Sequence, residues 1–193
     1  VTGQGVVFAT DLRDGHIYWA AVYDADALQG NKYSRRNVQR AKDGSESKRG
    51  WDENMVFPAG NRLLVLPSDS TRIYCFDRSN GQLHYKRQCK GGRHSPGTIG
   101  NGLLVTGDDF VRRYAIDSGK VKWTTKLKSP SGRAIAGPRR LLVPRGRSIV
   151  VLDAESGRRR KSLHVGLSED LPIGNLYSDG QRLYASGLSR VFA

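Results

Sequence analysis

The chain has 193 residues, 37% of them hydrophobic and 26% charged, with 23 Gly and 7 Pro, and its mean hydropathy is −0.54. That is enough chain to bury a core, too polar for a bundle of spanning helices, and too rich in Val, Ile, Leu and aromatic residues for a disordered segment. The formal charge is +14 and uneven: residues 1–60 carry 8 Lys/Arg and 8 Asp/Glu, residues 61–193 carry 24 and 10.

In chain order, the first predicted strand is Val7-Phe8-Ala9-Thr10-Asp11, followed by Gly15 and Trp19. Asp24 to Gly50 is a polar stretch of mixed charge, with Tyr33 and Val38 as its few apolar anchors. Within it, Ala25 to Ala41 has the spacing of a short helix with Arg35, Arg36 and Arg40 on or near one face, and Trp51 is expected to tack the end of the insertion to the core. Gly60 then leads to the apolar strand Leu63-Leu64-Val65-Leu66, and Ile73-Tyr74-Cys75-Phe76-Asp77 is followed by Gly81 and Tyr85. The same phrases return. Gly100 leads to Leu103-Leu104-Val105, then Arg113-Tyr114-Ala115-Ile116-Asp117, Gly119 and Trp123. Gly137 leads to Leu141-Leu142-Val143, then Val150-Val151-Leu152-Asp153, Gly157 and Lys161. A last Gly180 leads to Leu183-Tyr184-Ala185 and Val191-Phe192-Ala193.

The repeated Leu are 40, 38 and 42 residues apart and the Asp 66, 40 and 36, so the first interval holds an insertion of about 26 residues against a period of roughly 40, that of a propeller blade. An Asp ending one strand, with Gly four residues on, suits a tight hairpin: the carboxylate accepts turn N–H groups and Gly supplies the positive φ. The third turn, Asp117-Ser118-Gly119, reads as two residues shorter. The Trp or Tyr on the next strand is large enough to fill a wedge between neighbouring sheets. Lys161 takes that place in the fourth repeat.

The phrase Ala-x-Asp-x-x-x-Gly-x-x-x-Trp, seen at Ala9 to Trp19 and shortened at Ala115 to Trp123, resembles the tryptophan-docking repeat of the PQQ-like (quinoprotein-like) β-propellers. The resemblance covers about residues 1–23 and 55–193, and the order of Trp51, Pro58 and the later repeats is similar to PQQ-like repeat proteins of bacterial cell envelopes. It implies an all-β fold of four-stranded antiparallel blades in a single domain over 1–193, with the polar insertion at about 24–50. Asp11, Gly15, Trp19, Asp77, Gly81, Tyr85, Asp117, Gly119, Trp123, Asp153 and Gly157 are then the structural repeat residues. The strand of Val7-Phe8-Ala9 and that of Val191-Phe192-Ala193 hold the same place in the repeat and would compete for one position in a closed four-bladed ring. The chain is therefore expected to form part of a larger propeller.

The family includes quinone enzymes as well as scaffolds, and residues rather than fold separate them. Quinoprotein dehydrogenases stack their quinone on a disulfide of adjacent cysteines and hold calcium with Glu and Asn. Here the two cysteines are Cys75 and Cys89, fourteen apart, and a hairpin closing around residues 78–81 places Cys75 opposite the neighbourhood of His84. Asp108-Asp109 reads as a solvated turn. His16, His84, His94 and His164 are scattered without metal-ligand spacing, and no phosphate-cradle or nucleophile-elbow pattern occurs. No cofactor and no metal are expected.

The basic excess falls in short runs, Arg112-Arg113, Arg139-Arg140, Arg145 with Arg147, and Arg158-Arg159-Arg160-Lys161, where turns and strand edges are predicted. That is the pattern of a charged coat over strand edges. Tyr74, Tyr85, Tyr114 and Trp123 fall at structural strand positions rather than on a stacking platform, so nucleic acid is not an expected partner. The expected function is a non-catalytic interaction scaffold in an extracytoplasmic setting, binding protein partners or the remaining blades of a larger protein. Arg35, Arg36, Arg40, Arg158, Arg159 and Arg160 are its candidate contact residues. The alternatives are part of a quinone-dependent dehydrogenase, or a polyanion-binding basic propeller.

Overall fold

A computed structural model describes residues 2–3, 5–25, 50–164, 172–186 and 191–192. The described residues contain strands and turns and no helix, and so no helix long and apolar enough to cross a membrane. The predicted helix over Ala25 to Ala41, with Arg35, Arg36 and Arg40, lies outside them from residue 26 onward.

Contacts divide the chain into two compact units, Val1–Gly92 and Arg93–Ala193. The first holds a three-stranded sheet of β1 (Thr2–Gly3), β2 (Val6–Thr10) and β3 (Ile17–Val22), and a four-stranded sheet of β4 (Met55–Ala59), β5 (Arg62–Leu66), β6 (Arg72–Asp77) and β7 (Leu83–Gln88). The second holds two four-stranded sheets. One is β8 (Gly92–Ile99), β9 (Gly102–Gly107), β10 (Phe110–Ala115) and β11 (Val121–Lys126); the other is β12 (Ile135–Ala136), β13 (Arg140–Arg145), β14 (Ser148–Asp153) and β15 (Arg159–His164). A last three-stranded sheet contains β16 (Leu176–Ser178), β17 (Leu183–Ser186) and β18 (Val191–Phe192).

Every sheet is an antiparallel meander in which consecutive strands pair, as short connections with turn glycines demand. The inner strands are buried on both faces. In β6 this takes in Ile73 to Phe76 and in β14 Ile149 to Leu152, which is why these runs are continuously apolar instead of alternating. The outer strands β3, β7, β11 and β15 are mostly exposed.

In the first unit, Val7 and Tyr23 pack on Val65, Tyr74 and Phe76, with Trp19 at the margin. Asp69 ties the two sheets together, accepting the Gly5 N–H at 3.0 Å and the Tyr23 hydroxyl at 2.9 Å. In the second unit Leu104, Val111, Leu141, Val143, Val150 and Leu152 form one core, and Ile149, Ile173, Leu176 and Ala185 another. Each fully buried side chain of this size is worth about 1.5–3 kcal/mol. Trp51 is buried, donates its indole N–H to the Arg72 carbonyl at 2.9 Å and lies against Gly92 and Cys89, so it anchors the end of the insertion as the sequence predicts.

Two expectations are corrected. The third turn is not short: Ala115 N–H bonds the Lys120 carbonyl as Asp77 N–H bonds that of Gln82, so Ala115 holds the place of Asp77 and Asp117 lies two residues on. The turn-opening residues 77, 115 and 153 are thus evenly spaced, 38 apart, and the apparent shortening arises because Asp117 lies inside a turn of the same length as the others. Arg112-Arg113 does not mark an edge or a turn either; it sits in β10, an inner strand.

Candidate functional site

One turn design recurs. Asp11, Asp77 and Asp153 close their hairpins with N–H bonds to the carbonyls of His16, Gln82 and Arg158 at 2.8, 2.7 and 2.8 Å. Four residues on, Gly15, Gly81 and Gly157 each donate back to the Asp carbonyl and hold positive φ of 77°, 73° and 70°. The carboxylates are engaged in the turns. Asp11 accepts Arg13 N–H at 2.8 Å, Asp77 accepts Ser79 N–H at 2.8 Å, and Asp153 accepts Ser156 N–H at 2.9 Å. The Tyr18 hydroxyl and then the Arg13 N–H hold Asp11 below the usual carboxylate value. For Asp77 the cause is the Ser79 hydroxyl and N–H; for Asp153 it is Arg160, 2.8 Å away, and then Ser156. Asp117 instead accepts the Asn101 side-chain amide at 2.5 Å.

The aromatic position is equally regular. Trp19, Tyr85, Trp123 and Lys161 stand opposite Ala9, Cys75, Arg113 and Val151, and in each pair the register slips at the next residue. This bulge twists the outer strand at its large side chain. In the first unit the Trp19 ring lies over Gly81, where a Cβ would fall 2.4 Å from it, and its N–H donates to the Arg78 carbonyl at 3.0 Å. In the second unit the Trp123 ring covers Gly157 in the same way, at 2.5 Å. Its N–H has no partner among the described residues. Tyr85 is buried with Arg87 stacked over its ring, and Gly119 closes its turn by donating to the Ala115 carbonyl at 2.8 Å.

Of the candidate contact residues, Arg158, Arg159 and Arg160 are exposed on the β15 edge. Arg160 is paired with Asp153, and Arg159 bonds the Ser162 hydroxyl at 2.6 Å. Arg35, Arg36 and Arg40 lie outside the described residues. The sequence gives no warning of Arg113, only 6% exposed. Its guanidinium lies over Gly102, donates to the carbonyls of Ile99 at 3.1 Å and Glu155 at 3.3 Å, and pairs with the Glu155 carboxylate. The signal for it is the register position, which in the other repeats carries Ala9, Cys75 and Val151.

Cys75 and Cys89 are both buried and form no disulfide, and Cys75 stands opposite Tyr85 in the ladder, one residue from the His84 neighbourhood expected. No group of three His, Cys, Asp or Glu among the described residues is placed to hold a metal ion.

A family model described as outer membrane protein assembly factor BamB, of the PQQ repeat type, matches residues 3–189. The chain belongs to the BamB family. BamB from Moraxella catarrhalis has the same fold, with a TM-score of 0.65 at 17% identity over 98% of this chain and 52% of that one. This BamB-family chain thus spans about half the length of that relative. Kuenenia stuttgartiensis hydrazine synthase is similar over 74% of this chain and 44% of its own, with a TM-score of 0.59 and 18% identity. An assembly factor and a protein named as an enzyme share the architecture, so fold alone does not decide activity. Among curated proteins none matches significantly. Membership makes the chain a PQQ-type β-propeller protein, and its three complete sheets are blades of that kind.

Proposed function

We propose that this BamB-family chain is a non-catalytic interaction module of the bacterial cell envelope, and that it docks protein partners through exposed turns and outer strands. The observation that carries the reading is how the repeat residues are used. The turn carboxylates of Asp11, Asp77 and Asp153 are bonded within their own hairpins, while apolar side chains stand out on the first sheet: Leu12, Ile17, Tyr18 and Val22. Of these, Ile17, Tyr18 and Val22 lie on the uncharged outer strand β3, an edge that favours a protein partner. BamB is named an outer membrane protein assembly factor, which supports both the partner class and the extracytoplasmic setting.

Site-specific photo-crosslinking in the source cells tests this. A photoreactive residue at Tyr18 is expected to give a discrete protein adduct in the envelope fraction, and one at buried Val65 none. Adducts at neither position, or a chain confined to the cytoplasm, contradict the reading. The polyanion reading draws on the exposed basic edge of β15. It expects retention on heparin that falls steeply with salt, and salt-resistant retention counts against it.

A further inference from the structure

We propose that the outer edge of β11 receives an extended acidic segment of a partner protein, paired as a further strand with its carboxylates along a row of lysines. The row is written in the sequence. Over 120–128 the chain reads Lys-Val-Lys-Trp-Thr-Thr-Lys-Leu-Lys, and a strand sends alternate residues to opposite faces. Lys120, Lys122, Thr124, Lys126 and Lys128 are all exposed. On the other face Leu127 is buried, Trp123 packs against the core and the Thr125 hydroxyl donates to the Gly157 carbonyl at 2.6 Å.

Thr124 leaves no gap in the charge. Arg112 of β10 stands opposite it, donates from Nε to its hydroxyl at 3.1 Å, and is held over the Phe110 ring, 4.1 Å from the centroid. None of the four lysines enters an ion pair among the described residues, and the carboxylates of Asp108 and Asp117 are bonded to Arg93 and Asn101. The row is particular to this sheet: the places of Lys120 to Lys126, counted from the turn, hold His16, Tyr18, Ala20 and Val22 in the first sheet. Since β11 ends its sheet, one side of its backbone has no strand beside it. The Leu127 N–H bonds the Asp109 carbonyl at 2.9 Å. By antiparallel alternation Thr125 and Trp123 also bond inward to β10, and Lys122, Thr124 and Lys126 turn their N–H and C=O groups to the open edge. A strand added there repeats its own side chains every 6.8 Å or about that, in step with the row.

The occupant follows from charge. Lysines on an edge keep like edges apart, and a second copy offers nothing to complement them: in the described strands the only carboxylates are Asp77 and Asp153, each the last residue of its strand. The same row attracts a strand with Asp or Glu at alternate residues, because opposite charges stabilise a cross-strand pair and like charges destabilise it. Phe110 and Tyr114 are buried beneath Arg112, so the face has no exposed ring on which bases would stack. The proposal deepens the protein-docking reading, on which it rests, by naming the chemistry of one partner segment. Crosslinking at Tyr18 reads the first sheet and a titration reads β11 alone, so the two fail separately.

The test is an amide-resolved NMR titration of the full chain with an end-capped nine-residue peptide alternating Glu and Thr. Saturable shifts are expected along 120–128, with slowed hydrogen exchange at Lys122, Thr124 and Lys126, whose amides gain partners. The same peptide with Gln for Glu is expected to bind about tenfold more weakly or worse, each cross-strand charge pair giving about twofold. Lys122→Gln with Lys126→Gln, both exposed, should weaken the Glu peptide about fourfold, and Lys122→Arg with Lys126→Arg should keep its affinity. An equal loss of charge at Arg13 and Arg182, exposed on other sheets, should change it by less than about twofold. No added protection at the three amides, equal binding of the Gln peptide, or an equal loss from the Arg13 and Arg182 changes overturns the proposal. So does displacement of the peptide by oligothymidylate or by phosphatidylglycerol vesicles at equal anion concentration, since the row would then serve a nucleic acid or a membrane.

Discussion

The turn at Asp11–Gly15 and the turn at Asp153–Gly157 have the same closing hydrogen bonds, carboxylate engagement and glycine conformation. They differ in cover: Trp123 lies on the second, and no described residue lies on the first. Local chemistry is therefore sufficient to form the hairpin, and the indole adds something separate, the bond between one sheet and the next. A glycine serves two purposes in this fold. Its positive φ is needed in both turns, and its missing Cβ is needed only where a ring is seated.

The largest effect that can break this comparison is a side chain on a covered glycine. Gly157→Val must strain the backbone and displace the Trp123 ring, and is expected to cost about 3–5 kcal/mol in urea unfolding. Gly15→Val pays only the backbone strain, about 1–3 kcal/mol. Equal losses would mean that the ring contributes nothing beyond proximity.

Next is the ring itself. Trp123→Ala is expected to cost about 2–4 kcal/mol, at or below the range for a wholly buried aromatic because the indole is only partly buried. Tyr18→Ala, on the exposed edge of β3, should cost less than about 1 kcal/mol. Arg113 sharpens the same point from the other strand. Arg113→Met, which keeps the aliphatic stem but orphans two carbonyls, is expected to cost about 1–2 kcal/mol. Glu155 is 82% exposed, so Glu155→Gln should cost less than about 0.5 kcal/mol, the worth of an exposed charge partner. A larger loss for Glu155→Gln than for Arg113→Met would transfer the stabilisation from the carbonyl bonds to the ion pair.

The smallest effect is on pH. Folding depresses the carboxyls of Asp11, Asp77 and Asp153 below the ordinary value of 3.8. At acid pH the unfolded chain then binds protons that the folded chain refuses. The stability these groups add is complete above the ordinary carboxylate range and is lost as pH falls through it toward the depressed folded values. Urea midpoints measured from about pH 6 down to pH 2.5 should fall. Asp153→Asn should flatten that fall more than Asp11→Asn, because Arg160 adds a cationic partner that Asp11 lacks. An unchanged slope in Asp153→Asn would count against the turn carboxylate as its source.

Much of this was legible in the sequence because the repeat is written in residues with one physical use each. Gly four places before Trp, and an apolar strand after each earlier Gly, were enough to place the strands and the all-β class. The third turn misled because Asp117 supplied a carboxylate two residues from the place that matters. The constant feature was the distance from glycine to aromatic, which is set by the bulge, and Ala115 opens the turn through backbone bonds alone. Arg113 was hidden because Arg112-Arg113 reads as surface charge, although alternation along a strand sends neighbouring side chains to opposite faces. Arg112 goes to Phe110 and Tyr114, Arg113 goes inward, and Gly102 leaves room for it. The open face of Gly15 was not legible at all. Its sequence is as good a turn as the covered ones, and only the arrangement of sheets distinguishes it.

The most direct measurement is amide hydrogen exchange of Gly15 and Gly157 in the purified chain, since both N–H groups bond the carbonyl of their own turn-opening Asp, at 3.1 and 2.8 Å. If cover by the indole is what secures the turn, Gly157 exchanges far more slowly than Gly15, and Trp123→Ala brings the two rates together. Equal protection in the unmodified chain would contradict the account.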